Sequence, residues 1–243
     1  MKKILLTGSD GYIGSHLKPY LESKGFIVVP YQGDILNFDI PDENNPPDMV
    51  IHLAALTGVR RSLEDPKEYY RVNVLGTREV FFVCSANDIP LLFASSSNAK
   101  EVTNPYAETK MINEMDRIPN SVGFRPHTVY PGRQDMLFET LKRKEVKYIN
   151  GGHYRDFTHI EDLCSAIFTI VENYGILKGK VIDIGTGVPI SVLKVAEAMG
   201  YDGEVVYEDT PNERLLTNAE IGDLTILGWN PTKVIFDEIR NSK

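Results

Sequence analysis

The sequence predicts an α/β chain built on a doubly wound parallel sheet, followed by a smaller C-terminal part. Three observations predict it. Apolar runs of strand length alternate with longer stretches whose apolar residues recur every three or four positions. A glycine loop ends the first apolar run and opens the first helix. No flexible linker, repeat or low-complexity segment interrupts the 243 residues, so the second part is expected to pack closely on the first.

In chain order, residues 2–7 read as a buried strand stopped by Gly8. A helix follows over 13–24, with Ile13, Leu17 and Leu21 four apart and Gly25 ending it. Residues 26–29 form the next strand. The stretch 34–47 is polar, carries three prolines and offers no strand. Residues 49–55 read as a strand running into a small-residue loop, 66–87 as a helix, 91–94 as a strand, 105–117 as a helix and 122–124 as a short strand. Beyond Arg125 the rhythm loosens. It gives a helix near 135–144, a strand at 146–149, a helix over 160–172, a sheet strand at 181–184 and a helix at 190–199. A strand at 204–207 and helices at 219–227 and 232–240 close the chain.

Lys and Arg number 26 against 34 Asp and Glu, a net charge of −8. That argues against nonspecific binding to nucleic acid or an anionic membrane, both of which need a basic face. Hydrophobic residues at 42% and charged residues at 25% fit an ordinary globular protein. Cys84 and Cys164 lie in helix-like apolar text and read as buried thiols of a reducing compartment. No apolar run approaches the roughly 18 residues of a membrane span, and the first apolar stretch is too short for a signal peptide. A cytoplasmic protein is expected. The histidines at 16, 52, 127, 153 and 159 show no metal-ligand spacing, and no metal is expected.

Thr7-Gly8-Ser9-Asp10-Gly11-Tyr12-Ile13-Gly14 carries a GxxGxxG spacing at the first strand–helix junction. Glycine there permits a tight turn and lets backbone N–H groups approach a pyrophosphate at the positive end of the helix. No Gly-Lys-Ser/Thr follows, which disfavours a P-loop. Gln32 stands where an acid usually holds the adenosine ribose, and no Arg or Lys nearby could clamp a 2′-phosphate, so NAD is favoured over NADP. Asp34 and Ile35 border the adenine on this reading. On the other reading, Asp34 is a solvated turn acid.

Tyr106-Ala107-Glu108-Thr109-Lys110 sets a phenol and an ammonium four apart on one helix face. The ammonium favours phenolate, which makes the tyrosine usable as a general acid or base near neutral pH. Ser95-Ser96-Ser97 follows a strand and can offer a hydroxyl to the same substrate oxygen. Taken alone, the Tyr/Lys pair is common by chance and reads rather as a solvated helix face.

Taken together, the motifs resemble the extended short-chain dehydrogenase/reductase superfamily, and within it the NAD-dependent sugar-nucleotide epimerases and dehydratases. The UDP-glucuronate and UDP-glucose 4-epimerases are the nearest. The likeness is carried by Thr7 to Gly14, Gly33-Asp34-Ile35, His52-Leu53-Ala54-Ala55, Asn73-Val74-Leu75-Gly76-Thr77, Ser95 to Ser97 and Tyr106 to Lys110. It continues through Arg125 to Tyr130, Arg155 to Asp162 and Ile184-Gly185-Thr186-Gly187.

The resemblance implies a Rossmann-like dinucleotide-binding domain over 1–125, with a strand and helix returning at about 156–185. Residues 126–155 and 186–243 would form a substrate-binding subdomain. It makes Tyr106 the acid/base, Lys110 its partner and Ser97 the third member. NAD would be held by Gly8, Gly11, Tyr12, Ile13, Gly14, Gln32, Asp34, Ile35, Leu53, Ala54, Ala55 and Asn73, with Tyr106 and Lys110. Thr128 and Arg133 would face a sugar carboxylate. Arg155, oriented by Asp156, and Arg214 would hold the diphosphate, although in register the second arginine falls on Thr210.

The implied reaction is C4 epimerisation of a nucleotide sugar through a transient 4-keto sugar. Alternatives are a reductase or dehydratase on the same residues, or a non-catalytic NAD-binding sensor. A homodimer would form through the helices at 66–87 and 105–117, with Val80, Phe81 and Val83 supplying apolar area or facing the sheet. The chain departs from the family in places. Only residues 98–105 separate Ser97 from Tyr106, the segment before Met49 is short, and Asn98-Ala99 replaces the dehydratases' Asp-Glu pair.

Overall fold

Leu5, Leu6, Val50, Ile51, Leu91, Leu92 and Phe93 are almost wholly buried, as the apolar strand text requires. In the computed structural model, which describes residues 2–208 and 210–241, they line the middle of a six-stranded sheet. The strands of the described residues are β1 (Lys3–Thr7), β2 (Ile27–Pro30), β3 (Met49–His52), β4 (Leu91–Ala94), β5 (Ser121–Pro126), β6 (Thr128–Tyr130), β7 (Tyr148–Asn150), β8 (Tyr154–His159), β9 (Val181–Ile184), β10 (Pro189–Ser191) and β11 (Glu204–Val206). The large sheet runs β2-β1-β3-β4-β5-β9. Its pairings from β2 to β5 are parallel, with Leu5 opposite Val29 and Val50, and Leu92 opposite Ile51 and Val122. The order reverses at β1, which puts the crevice for a ligand beyond the ends of β1 and β3. The fold is Rossmann-like, as expected.

Two compact units divide the chain. One holds the residues up to Arg125 together with Ile170–Ile182; the other holds Pro126–Thr169 and the chain from Asp183 onward.

In the first unit, the helix Tyr12–Ser23 ends where expected, with Gly25 at φ +88° donating to Glu22 O at 3.0 Å. The strand expected over 49–55 stops at His52: the Leu53 N–H is shared between Thr7 O at 3.3 Å and Thr7 Oγ1 at 3.2 Å, and the Ala54 N–H goes to Thr7 Oγ1 at 3.2 Å. The single helix expected over 66–87 is three pieces: Pro66–Tyr69, a π turn at Tyr70–Leu75 and Gly76–Ala86. The Gly76 N–H reaches five residues back to Arg71 O, a register that periodicity does not reveal. A short helix at Val59–Glu64 precedes them. Val80, Phe81 and Cys84 join the core against Val50, Leu91 and Phe93, with Val83 packed alongside. These residues therefore face the sheet, and Phe82, 70% exposed, is the outward one. The stretch 34–47 holds no strand, only a 3₁₀ turn at Ile35–Asn37 and a turn closed by Asn45 N on Asp42 O at 3.2 Å.

The second unit contains a three-stranded sheet, β10-β8-β6, and a β11–β7 pair. Its core includes Tyr130, Phe138, Leu141, Phe157, Val195 and Ile235. β8 reads Tyr-Arg-Asp-Phe-Thr-His, too polar to be recognised as a strand. The helices expected here are shorter, at Leu137–Lys142, Val192–Ala198, Gly222–Thr225 and Ile235–Asn241. Trp229, the only tryptophan, donates its indole N–H to Ser165 Oγ at 2.9 Å. Among the described residues no helix is long and apolar enough to cross a membrane.

Candidate active site

The glycine loop is built by close approach. Gly8 sits at φ +68°, and a Cβ there would lie 2.7 Å from Ala54 N. A Cβ on Gly14 would lie 2.2 Å from Gly8 O. Gly11 is less constrained: its φ is −72° and its Cβ would stand 3.2 Å from that oxygen. No side-chain hydrogen bond caps the helix that Gly11 opens, so its first turn, Tyr12 to Gly14, presents an uncapped positive end to an anion. The loop therefore closes on its own backbone and on the residues after β3 with no room for a Cβ at Gly8 or Gly14, and this close packing beneath an open helix start fits a dinucleotide pyrophosphate. Leu53, Ala54 and Ala55, all half-buried, follow β3 beside it.

Gln32 and Asp34 are exposed past the end of β2. Asp34 accepts from Leu36 N at 3.0 Å and caps the 3₁₀ turn, the behaviour of a turn acid. Ile35 is buried, and its Cγ2 would lie 2.7 Å from a Cβ on Gly76.

Beneath the loop runs a buried polar frame. Thr7 Oγ1 accepts from Leu53 and Ala54, so its own hydrogen goes to His52 Nδ1 at 2.8 Å. His52 Nε2 then donates to Thr77 Oγ1 at 3.0 Å. Burial, with the Lys110 charge adding to it, pushes His52 down to about 3 and keeps it neutral. Asn73 is fully buried; its amide accepts from Leu56 N at 2.7 Å and donates to Leu56 O at 3.0 Å. It braces the loop after β3 through the main chain and presents no exposed atom of its own. Asn113 donates to Asn73 O at 2.9 Å, across the π turn.

The helix Pro105–Met115 starts at Asn104, whose side chain accepts from Ala107 N at 2.9 Å, with Pro105 at its first position. That start fixes Tyr106 in the first turn and Lys110 one turn on. Lys110 is buried and its Nζ donates to Ala94 O, the last residue of β4, at 2.8 Å. Burial pulls Lys110 down to about 8, against the opposing charge of Glu114. The Tyr106 ring meets the Tyr69 ring edge-on, centroids 6.4 Å apart, and Tyr69 Oη donates to Thr57 O at 2.6 Å. In the serine run, Ser95 Oγ donates to Glu114, and Ser96 Oγ accepts from Asn98 N at 3.2 Å. Ser97, buried, opens the 3₁₀ turn that follows.

The expected substrate residues all lie in the second unit. Thr128 opens β6 and is half-buried. Arg133 has its guanidinium fork on Asp135, Nε to Oδ1 at 2.7 Å and a second bond at 2.9 Å. Arg155 donates to the carbonyls of Tyr154 at 2.9 Å and Leu215 at 3.1 Å, and stands 3.8 Å from Glu213. Burial pulls its pKa down, and the nearby Arg214 charge, itself half-buried, does the same. Thr210 bonds His153 Nε2 at 2.9 Å.

Asp156 does not orient Arg155, contrary to expectation. Neighbours along a strand point to opposite faces. The fully buried Asp156 carboxylate instead accepts from Thr186 N and Thr186 Oγ1, both at 2.7 Å, from Gly187 N at 2.9 Å and from Ala219 N at 3.1 Å.

Sequence reading missed Glu114, Arg125, Tyr69 and the His52 frame. Glu114 lies one turn beyond Lys110, and that spacing was the available signal. Asn104 before Pro105 is a helix-start signature.

Residues 4–121 match the model of a family described as the NAD dependent epimerase/dehydratase family. The chain is 29% identical to a probable UDP-glucuronate 4-epimerase of Rhizobium meliloti, over 68% of this chain and 67% of that one. It is 26% identical to a putative UDP-glucose 4-epimerase of Methanocaldococcus jannaschii, over 94% and 93%. That alignment runs over 289 positions, more than this chain has residues, so the relative carries internal segments absent here. Among solved structures, the UDP-glucuronic acid 4-epimerase from Bacillus cereus in complex with UDP-glucuronic acid and NAD is 26% identical. It matches with a TM-score of 0.86 over 98% of this chain and 96% of that one.

Proposed function

The chain belongs to the NAD dependent epimerase/dehydratase family, and from that membership we propose that it is an NAD-dependent 4-epimerase of a UDP-sugar, UDP-glucuronate being the first to test. The observation that carries the reading is the buried Lys110, anchored on Ala94 O one helical turn from Tyr106, at the strand end where the serine run begins. A solvated helix face would leave that lysine in water.

When bound, NAD supplies a reversible two-electron oxidation at the sugar carbon and is restored in each turnover. The cradle of Gly8, Gly11 and Gly14 would hold its pyrophosphate, with Leu53 to Ala55 alongside and Gln32 and Asp34 toward the adenosine. Tyr106, as phenolate, takes the proton of the C4 hydroxyl and later returns it. The Lys110 ammonium favours that phenolate, and Ser97 offers its hydroxyl to the same oxygen. Arg155, with Arg214, suits a diphosphate.

A uronate carboxylate would take the Arg133 fork from Asp135, with Thr128 beside it. Dehydration lacks its acid pair at Asn98-Ala99. A cytoplasmic homodimer is part of the proposal. Phe82 and Met115, 70% and 73% exposed on the helices Gly76–Ala86 and Pro105–Met115, supply apolar surface for it.

The test is NMR of UDP-, GDP- and dTDP-sugars incubated with the protein and no added reductant. A C4 epimer of a UDP-sugar is expected. Tyr106→Phe should keep NAD binding and lower turnover by about 10²–10⁴-fold. Turnover at the wild-type rate in that variant refutes the role of Tyr106.

A further inference from the structure

We propose that Glu114 is a positioning residue for the acid/base pair: a clamped, buried carboxylate that keeps the Lys110 ammonium charged beside Tyr106. The proposal rests on the reading of Tyr106 and Lys110 given above.

Lys110 and Glu114 are both buried, one turn apart on the Pro105–Met115 helix. A buried ammonium is costly unless a charge and hydrogen bonds compensate it. Lys110 has one such bond, to Ala94 O at 2.8 Å. The very next residue, Ser95, gives its hydroxyl hydrogen to Glu114 Oε1. One strand end therefore anchors both the ammonium and the carboxylate.

Arg125, in β5, completes the clamp with Nε to Oε1 at 2.7 Å and a second bond to Oε2 at 2.6 Å. Ser95 N donates to Phe124 O at 2.7 Å, which ties the residue that follows β4 to the one before Arg125. Three donors, one on Ser95 just past β4 and two on Arg125 in β5, fix this carboxylate, so it has no freedom to swing away from Lys110.

The other titratable groups around Lys110 do not replace it. Tyr106 is on the same helix. His52, from β3, is neutral, with its nitrogens on Thr7 and Thr77. Arg125 carries the same sign as Lys110 and is satisfied by Glu114. Among the described residues, Glu114 is the carboxylate whose charge supports the Lys110 ammonium against desolvation. Without it, Lys110 would lose its proton at a lower pH, and turnover would fall earlier on the alkaline side.

The test pairs two measurements on the full-length protein with NAD. NMR of ¹³Cε-labelled lysine, with Lys110→Met identifying the signal, titrates Lys110. The pH profile of kcat on the UDP-sugar reports the reaction. In Glu114→Gln the Lys110 midpoint should drop by about one unit or more, the alkaline limb of kcat should follow it, and NAD affinity should hold. Glu114→Asp, which keeps the charge for Arg125 but draws it back from Lys110, should give a smaller shift in the same direction and serves if the glutamine variant does not fold. An unmoved midpoint in the folded variants overturns the proposal alone. A midpoint that moves while the kcat profile stays put overturns the reading of Lys110 as partner of the reacting tyrosine, and the proposal with it.

Discussion

Replacing Asp156 by asparagine changes one atom in a fully buried group and tests what that group is for. Both carboxylate oxygens accept two bonds, Oδ1 from Thr186 N and Oγ1, and Oδ2 from Gly187 N and Ala219 N. An asparagine with its oxygen on the Thr186 side turns an NH₂ toward two main-chain N–H groups and leaves both without an acceptor. Flipped, it faces Thr186, whose hydroxyl can rotate to accept, and only the Thr186 N–H is orphaned. An orphaned buried donor costs about 1–3 kcal/mol, so the flipped form sets the loss at about 1–3 kcal/mol. Asp156→Ala, with every donor orphaned, should cost more. Urea unfolding followed by Trp229 fluorescence reads the effect, since the tryptophan lies in the same unit. The expected result is a lower midpoint with nucleotide affinity retained in the folded protein. A loss below about 0.5 kcal/mol, the range of a surface substitution, together with weakened diphosphate binding, would refute the reasoning and return Asp156 to Arg155.

Two further outcomes complete those already given for Tyr106 and Glu114. Gly14→Ala puts a methyl 2.2 Å from Gly8 O and 2.7 Å from Ser9 Cα, so the loop backbone must move. NAD binding should vanish in calorimetry while the protein loses about 1–3 kcal/mol, and unchanged affinity would mean the cradle is not the pyrophosphate site. Lys110 makes stability depend on pH. Burial lowers it to about 8 in the fold, against about 10.4 in the unfolded chain. Its cost is therefore fully present below pH 8 and disappears as pH rises toward about 10.4, where the unfolded chain binds the extra proton. Relative to Lys110→Met, the wild type should gain up to about 3 kcal/mol across that window in urea unfolding followed by circular dichroism. A constant difference between the two proteins would count against the buried charge.

The sequence was most legible where one physical demand acts alone. β1, β3 and β4 are buried on both faces, and their text is simply apolar. Asn104-Pro105 announces the helix that carries Tyr106 and Lys110, and the glycine spacing follows from backbone contact. It was least legible where polar residues satisfy one another across distance. β8 is hidden because Asp156 finds its hydrogen-bond donors 30 and more residues away, which leaves no local signal. The π turn keeps a helical composition while changing register, and that register selects Phe82 rather than Phe81 for solvent. Ser95 and Ser96 look equivalent to Ser97 in the text, yet the first serves Glu114 and the second caps a turn.

One edge of the sheet has a consequence for how these molecules meet in solution. Doubly wound sheets of the 3-2-1-4-5-6 order carry a further strand outside the position of β2. Here β2 is the last strand on that side, and the chain leaves it into the polar, proline-bearing stretch before β3. A bare edge offers unpaired N–H and C=O groups to any strand that drifts past, the usual route to intermolecular sheet growth. β2 offers very little. It is four residues long, its last residue is Pro30, which has no N–H to give, and after the buried Tyr31 come exposed Gln32, Gly33 and Asp34. A strand could thus be dispensed with on this side without turning the protein into a template for its own aggregation, because almost nothing of the edge remains for a stranger to pair with.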